Sequence, residues 1–402
     1  MRRRLLCPVL AATVAVVAFA RADSLNVRFV GGCLTAGYAH NVALSESLAY
    51  VAASDSGLRV VDVSDPQAPF EIGHFSVGEE ALDIQVKETL AYLTDVGGLH
   101  ILNVSDPREP HEVGACDLPD PACGIFVSGN YAFVADASDG LRVVDVADPT
   151  QPHEIGHYNT RIEAWGIFVT GDLAWLSNAV LGLRVIDVSD PLTPHEVGFF
   201  DTRGWSWNSQ VANGHAYMAD NRGLSIINVT DPARPFETGY CYTTEARDVA
   251  ILGSYACIAD GVAGLRIIDV SDVGNPREVG FHDVPGYVEG VVTQGENIYA
   301  VAGGAGLGIY RFLGAGIGAR ANLGTRHSAT QPTLLRGGLL LIGVDGANAS
   351  GVLLDISGRR VMELQAGAND VRHLAPGVYF VRSGPSAASG ERSAVCKVII
   401  AK

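Results

Sequence analysis

The segment Gly57-Leu58-Arg59-Val60-Val61-Asp62-Val63-Ser64-Asp65-Pro66 decides the fold, because it recurs along the chain. Its second copy is Gly98-Leu99-His100-Ile101-Leu102-Asn103-Val104-Ser105-Asp106-Pro107. Successive copies start 41 or 42 residues apart, and a fixed period of this length indicates a repeat architecture. The remaining copies, the last of them shortened, begin at Gly140, Gly182, Gly223, Gly264 and Gly306.

Each period has the pattern of four short β-strands. In the third copy the first strand is predicted over 124–127 and the second over 131–135, with Ser128-Gly129-Asn130 as the hairpin turn. The third strand covers 141–146, and the fourth begins at Pro152, after an Asp-Pro turn. The middle strands are nearly continuous apolar runs, which is typical of strands covered on both faces.

Four strands per period predict the blade of a β-propeller, whereas a linear β-solenoid would have shorter rungs and capped ends. The seventh copy stops at Phe312 without a fourth strand, and the segment 26–31 near the N-terminus resembles an unattached one. We therefore predict an all-β, seven-bladed propeller over residues 23–312, in which the N-terminal strand completes the last blade.

The phrases Leu-Arg-Val-Val-Asp (58–62), Leu-Arg-Val-Ile-Asp (183–187) and Leu-Arg-Ile-Ile-Asp (265–269) resemble the LVIVD-repeat family of secreted prokaryotic propellers. The resemblance covers about 290 residues of the 402. It implies the propeller fold and an extracytoplasmic setting. The family carries no agreed activity, so no catalytic residue is transferred from it.

The N-terminus has the pattern of a secretory signal peptide over residues 1–22. Three arginines precede an apolar run from Leu5 to Ala20, and Ala20-Arg21-Ala22 follows as a cleavage site. The alternative is a membrane anchor, but the run is shorter than the ~20 residues that cross a bilayer. Cleavage removes four arginines and no acidic residue, which takes the formal charge from −16 to about −20. We expect no membrane span after that removal.

The C-terminal part differs in composition from the repeats. A linker rich in small residues is predicted over 313–330, and a small immunoglobulin-like β-sandwich over 331–402. The strings at 354–361, 374–381 and 397–400 resemble both the type A sorting domain of the type IX (Por) secretion system and the immunoglobulin-like domain of flagellar-hook assembly proteins. The first resemblance implies a bacterial protein that the outer-membrane secretion machinery delivers to the cell surface or the medium.

Charge and motifs argue against several classes of function. The chain has 28 lysines and arginines against 44 aspartates and glutamates, and an acidic surface repels nucleic acid. The sequence lacks H-E-x-x-H, G-x-S-x-G and Walker motifs and a spaced Cys/His set for zinc. We therefore expect no enzyme activity, cofactor, metal or nucleic-acid partner. Cys116 and Cys123 are the one pair of cysteines placed for a local disulfide.

Two sets of polar residues stand out from the repeat. Arg59 and Asp62 occur together in one copy, as do their equivalents in three others, which suggests one polar network shared with a fourth-strand glutamate. The start of each first strand, by contrast, differs from blade to blade and should face one mouth of the central channel. The candidate ligand-binding residues there are His40, Asn41, Asp83, Trp165, Trp205, Trp207, Asn208, Arg247, Asp248 and Glu289.

Aromatic rings beside a few polar groups suit an extracellular glycan or a peptide or protein ligand. The same residues could instead plug the channel, or Asp83, Asp248 and Glu289 could hold a divalent cation. The leading hypothesis is an exported, non-enzymatic binding or surface-interaction module. The alternatives are a hydrolase or lyase of polysaccharide or peptide with His40, Glu289 or Asp248 as acid and base, and a structural scaffold at the cell surface.

Overall fold

The computed structural model describes residues 24–314 and, beyond them, residues 334–335, 338–341, 351–354, 359–364, 367–370, 377–383 and 395–400. It forms two compact units, which divide between Ile317 and Gly318. The predicted signal peptide and nearly all of the predicted linker lie outside the described residues. Among the residues that are described, no helix is long and apolar enough to cross a membrane.

The first unit contains seven blades, numbered here in chain order. Blade 1 consists of Asn41–Ser45, Leu48–Ala52, Leu58–Asp62 and Phe70–Phe75. Blade 2 consists of Ala81–Lys87, Leu90–Asp95, Gly98–Asn103 and His111–Asp117. Blade 3 consists of Ala122–Ser128, Tyr131–Asp136, Gly140–Asp145 and His153–Tyr158, with a 3₁₀ turn at Ala137–Asp139. Blade 4 consists of Gly166–Thr170, Leu173–Asn178, Gly182–Asp187 and His195–Phe200.

The remaining blades follow the same plan. Blade 5 consists of Asn208–Ala212, His215–Ala219, Gly223–Asn228 and Phe236–Tyr242. Blade 6 consists of Asp248–Leu252, Tyr255–Ala259, Leu265–Asp269 and Arg277–His282. Blade 7 consists of Gly290–Gln294, Asn297–Val301, Leu307–Phe312 and the N-terminal strand Val27–Cys33. Neighbouring strands within each blade pair in antiparallel order, so the predicted seven four-stranded blades are confirmed.

The N-terminal segment closes the ring, as the sequence predicts. Val27–Cys33 pairs with the third strand of blade 7, from Val27 opposite Phe312 to Cys33 opposite Leu307. The structure adds a second contact: Ser24–Leu25 pairs with the outer strand of blade 6 and extends that sheet to five strands. The N-terminal segment therefore joins two blades.

The core is divided among the interfaces between blades. Alternate side chains of the middle strands pack against the previous or the next blade, and in the described residues a buried apolar cluster occupies each of the seven interfaces. The cluster between blades 7 and 1 includes Tyr299 and Ile309 from one side and Val42 and Val61 from the other. Because both faces of a blade are covered, its middle strands read as unbroken apolar runs.

A glycine in six of the seven outer strands contacts the turn of the next blade, and blade 6 has a glycine at the same position. A β-bulge precedes this glycine in all seven blades. A methyl group placed on Gly156 would lie 2.2 Å from the carbonyl oxygen of Pro191, in the Asp-Pro turn of blade 4. In blade 6 the turn of a following blade is missing, and Gly280 faces the carbonyl oxygen of Leu25 instead. The N-terminal segment thus replaces the absent turn.

The predicted Arg–Asp–Glu network is correct only in part. Arg59 Nη1 lies 3.2 Å from Glu71 Oε1, and Arg142 Nη1 lies 3.0 Å from Glu154 Oε1. The paired aspartate is not a member: Asp62 Oδ1 accepts a hydrogen bond from the Ser64 backbone N–H at 2.9 Å and so holds the following turn. Residues three apart in a strand point to opposite faces, which separates the two groups.

His100 replaces the arginine of this network in blade 2. Its Nδ1 lies 2.6 Å from Glu112 Oε2, and its Nε2 lies 2.9 Å from Asp95 Oδ2. Burial opposes the charged form, but the hydrogen bonds and charges of these two carboxylates outweigh it and raise the pKa of His100 to about 9. The histidine therefore carries the positive charge that the arginine supplies elsewhere.

The second unit contains two antiparallel sets of strands. One set pairs Leu334–Leu335 with Gly338–Leu341, and the latter with Gly367–Asp370. The other has the order Arg360–Leu364, Gly351–Leu354, Gly377–Ser383 and Val395–Ile400.

The glycine contact predicts a sharp effect of one methyl group. We expect Gly156→Ala to lower the free energy of unfolding by roughly 1–3 kcal/mol, because the new methyl meets a backbone oxygen that can move only with its turn. Gly304→Ala is the matched control, since nothing lies within 4 Å of its added methyl. Urea denaturation of both variants makes the measurement. Equal stabilities for the two would refute the steric role of Gly156.

Candidate functional site

The first strands of the seven blades surround the central channel, each beside the first strand of the next blade, and blade 7 returns to blade 1. A cavity of about 250 Å³ opens where these strands begin, and we call it the channel mouth. Its lining residues are His40, Asn41, Leu82, Asp83, Cys123, Trp165, Gly166, Trp207, Asn208, Arg247, Asp248 and Glu289. Nine of the ten candidate residues from the sequence are among them, and Trp205 is not.

A belt of hydrogen bonds between first strands forms the deeper part of the mouth. Asp83 Oδ1 accepts from Asn41 Nδ2 of the preceding blade at 2.6 Å, and its Oδ2 accepts from the Ile125 N–H of the following blade at 2.8 Å. Asp248 repeats the arrangement on the other side of the ring. Its Oδ1 accepts from Asn208 Nδ2, and its Oδ2 from the Val291 N–H, both at 2.8 Å. Each aspartate therefore joins three blades.

Glycine occupies the belt position in the blades that lack Asn or Asp. A methyl group on Gly166 would lie 2.5 Å from Asn208 Oδ1 and 2.6 Å from the carbonyl oxygen of Trp207. A methyl group on Gly290 would lie 2.8 Å from Asn41 Oδ1. These glycines are required because the next first strand approaches too closely for a side chain.

The two belt aspartates resist ionisation. Burial raises the pKa of Asp83 to about 6, although its three N–H donors favour the charged form. Burial raises the pKa of Asp248 to about 7, and the charge of Asp83 adds to that rise. Each Oδ2 accepts one hydrogen bond from the protein, which leaves a position for a proton. Asp83 and Asp248 therefore have structural roles, because each of their carboxylate oxygens accepts a hydrogen bond from a neighbouring blade.

Blades 4 and 5 supply an aromatic wall. The rings of Trp165 and Trp207 meet edge to face with centroids 4.8 Å apart. Trp205 lies behind Trp207, at 5.8 Å between centroids, and its backbone N–H donates to Asn221 Oδ1 at 3.2 Å. Trp205 therefore positions Trp207.

Arg247 of blade 6 extends this wall. Its guanidinium carbon lies 3.9 Å from the ring centroid of Trp207 and 5.0 Å from that of Tyr287. Its Nη2 donates to Glu245 Oε1 at 2.8 Å, and Tyr287 donates its hydroxyl to the same oxygen. The cation is thus held by two aromatic faces and one carboxylate.

Blades 7 and 1 supply a second polar cluster around Glu289. Tyr38 donates its hydroxyl to Glu289 Oε1 at 3.0 Å, and His40 Nδ1 lies 3.0 Å from Glu289 Oε2. The other ring nitrogen of His40 lies 3.4 Å from Glu80 Oε1, an ion-pair distance without hydrogen-bond geometry. Burial opposes a charged imidazole, but Glu289 and Glu80 outweigh it, so the pKa of His40 is raised.

Apart from Trp205, the residues that hold these clusters in place were not predicted from the sequence. All lie two positions before the mouth residue of their blade and form a second variable ring. A buried small residue, such as Ala39 or Ala246, separates the two rings and faces the core. This alternation of outward and inward residues is the signal that could have found them. The ring consists of Tyr38, Glu80, Pro121, Glu163, Trp205, Glu245 and Tyr287.

The geometry supports neither a metal site at the mouth nor a disulfide between Cys116 and Cys123. Within the part of the chain that the structure describes, no three His, Cys, Asp or Glu side chains come together as metal ligands would. Cys116 and Cys123 are both free thiols. Burial raises the pKa of Cys123 to about 12, which keeps this mouth residue protonated.

A second cavity, of about 470 Å³, lies on the opposite face between Ala115 and the turn that runs from Asp145 to His153. The same Asp-Pro turn occurs in other blades. This groove therefore belongs to the repeated scaffold and lacks the variation that distinguishes the mouth.

The fold and the mouth define the class of protein: a seven-bladed β-propeller whose channel opens into a small polar and aromatic cavity. The LVIVD repeat family model matches residues 36–77, 78–118, 121–160, 163–202, 203–243 and 244–284, which together make up more than half of the chain. The chain therefore belongs to the LVIVD-repeat family, as the resemblance suggested. Blade 7, which is built from both ends of the propeller, lies outside the six matched repeats.

The chain was also compared with curated proteins and with solved structures. No curated protein matches the chain. Among solved structures, a crystal structure of the computationally designed Ika8 protein is similar, with 10% sequence identity and a TM-score of 0.53. The match covers 70% of this chain and 100% of the designed one. At that identity the similarity supports the fold alone.

The belt aspartates predict an unusual dependence of stability on pH. Because their pKa values are higher in the folded protein than in the unfolded chain, they stabilise the fold below about pH 4, and this contribution is lost as the pH rises through about 6 to 7. We expect Asp248→Asn to reduce the fall in the free energy of unfolding between about pH 4.5 and 7.5, measured by urea denaturation.

The control for this experiment is Asp148→Asn. Asp148 is an exposed turn residue whose pKa is lowered by hydrogen bonds from Thr150, so it stays ionised throughout the range. Its replacement should leave the shape of the pH profile unchanged. A profile for Asp248→Asn that runs parallel to the wild type would show that Asp248 does not titrate in this range.

Proposed function

We propose that this protein is an exported binding module whose channel mouth holds an extracellular ligand. The observation that carries the proposal is the distribution of variation. Six blades repeat the same turns and core positions, while the side chains that differ most between blades meet around one cavity. A scaffold that needed only rigidity would have no reason to concentrate tryptophan, arginine, histidine and glutamate there.

Binding fits the mouth better than catalysis. Asp248 accepts three hydrogen bonds, two of which join it to the neighbouring blades, so it is poorly placed as a general acid or base. Among the described residues that line the mouth, His40 and Glu289 favour the alternative of a hydrolase or lyase, since they lie 3.0 Å apart. Each of them, however, is already held by its neighbours in the wall.

Export and attachment form the second part of the proposal. The arginines and apolar run of residues 1–22 support secretion. The two antiparallel sets of strands beyond residue 334 support an immunoglobulin-like β-sandwich that acts as a sorting or attachment domain. The partner there would be the outer-membrane secretion machinery, and the setting would be the bacterial surface or medium.

The binding role is tested by replacing the aromatic wall. We expect Trp165→Ala combined with Trp207→Ala to weaken ligand retention on a glycan and peptide array by about 30-fold or more, because buried aromatic anchors are worth ~2 kcal/mol or more. Trp175→Phe serves as the control for a tryptophan change outside the site, since Trp175 is buried between blades 4 and 5, away from the mouth.

Three outcomes separate the functions. Unchanged retention in the double variant, with the fold intact by circular dichroism, would refute the binding site. Turnover of an array ligand that His40→Ala abolishes would establish an enzyme. Failure of the wild type to retain any ligand would leave the surface scaffold as the function.

The attachment role is tested by cell fractionation in the producing bacterium. A chain that ends at Ala329 retains all seven blades but lacks both sets of strands of the second unit. We expect the full-length protein at the cell surface or in the medium, and the truncated protein to remain in the periplasm. Equal surface delivery of both would exclude a sorting role.

A further inference from the structure

The channel mouth has two unlike halves, and this division limits the chemistry of its ligand. Blades 2 to 5 contribute Leu82, Cys123, Trp165 and Trp207, which form a continuous apolar arc. Blades 6, 7 and 1 contribute Arg247, Glu289 and His40, which form a charged arc. A ligand that fills the mouth must therefore present an apolar face to one half and hydrogen-bonding groups to the other.

The charges of the second arc are neutralised within the wall. Arg247 is paired with Glu245 at 2.8 Å, and Glu289 with His40 at 3.0 Å. Both cations of the arc are therefore already paired with carboxylates, which leaves neither free to bind an anionic ligand. An anionic ligand is further disfavoured because Glu80, Glu245 and Glu289 outnumber the cations of the arc, and a like charge brought into an interface is costly.

The charged arc offers hydrogen-bonding groups of both kinds to a ligand. Glu289 contributes carboxylate oxygens as acceptors, and the guanidinium of Arg247 contributes N–H donors. Hydroxyl groups match both, because each one donates and accepts. A polyhydroxylated ring therefore fits this half of the mouth.

The size of the mouth limits how much of a ligand it admits. The cavity measures about 250 Å³, below the ~300–1,000 Å³ of pockets that enclose drug-sized molecules. One six-membered ring fits such a space, whereas an oligomer would have to extend into solvent.

We propose that the channel mouth binds the terminal, uncharged sugar residue of a glycan. The apolar face of the ring packs on the arc of Trp165, Leu82 and Cys123, and its hydroxyl groups hydrogen-bond with Glu289 and Arg247. This inference rests on the proposed function and adds the class of ligand to it.

Calorimetry on the full-length mature protein tests the proposal. The probes are the methyl glycosides of glucose, galactose, mannose and N-acetylglucosamine, with methyl glucuronide as the anionic counterpart. We expect saturable binding of at least one neutral glycoside in the roughly millimolar range. The glucuronide should bind about tenfold more weakly or worse.

Two substitutions test the contacts. Glu289→Gln keeps the shape of the side chain but replaces one acceptor with a donor, and it should weaken binding about tenfold or more. Trp165→Phe keeps an aromatic ring but reduces the apolar surface on which the sugar packs, and it should also weaken binding. Trp175→Phe, the same change at a buried site away from the mouth, should leave the affinity unchanged.

The outcomes distinguish this inference from the proposed function. Retention of a cationic or neutral peptide that depends on Trp165, without binding of any glycoside, would overturn the sugar proposal and leave the binding module intact. Tighter binding of the glucuronide than of neutral glycosides would also overturn it. If neither glycosides nor array ligands bind, both proposals fail.

Discussion

The contact between an outer-strand glycine and the turn of the next blade is the constraint on which the ring depends. At Gly73, Gly114 and Gly198, as at Gly156, an added methyl would lie 2.1–2.2 Å from a proline carbonyl oxygen of the neighbouring turn. The contact sets the spacing of blades at the rim, and it requires a turn from every following blade. Blade 7 has none to offer blade 6, so the backbone at Leu25 takes that position. Ring closure and blade spacing therefore follow from one steric rule.

The inner edge of the ring is held by different chemistry. At the rim the backbone of one blade fits against a glycine of another, whereas at the channel the side chains of Asp83 and Asp248 accept hydrogen bonds from both neighbouring blades. Burying a carboxylate is costly, and its N–H partners offset that cost only in part, which is why both pKa values rise. Since the belt lies directly beneath the mouth, the ring's inner support and the cavity floor are the same residues.

Periodicity explains which features could be predicted from the sequence. The number of blades, the closing strand and the residues that meet at the mouth all follow from a repeat of 41 or 42 residues, because equivalent positions in a ring share one location. A network that contains both Arg59 and Asp62 was predicted because the two residues occur together in the repeats. Asp62 instead accepts a hydrogen bond from the Ser64 N–H and stabilises the following turn. Tyr38 and Glu245 were missed because their role appears only when neighbouring blades meet. The strands from residue 334 onwards do not share this period, so periodicity does not predict their positions.

The same ring geometry explains how a symmetric scaffold produces an asymmetric site. Every blade delivers one mouth residue, and a second residue two positions before it, from identical backbone positions, so substitution alone divides the rim into apolar and charged arcs. Trp207 is held between Trp165, Trp205 and Arg247, and Glu289 between Tyr38 and His40. Side chains fixed in this way lose little conformational entropy when a ligand arrives. Because each cluster spans two or more blades, its geometry depends on the closed ring, and the N-terminal strand that closes the ring contributes to the site without touching it.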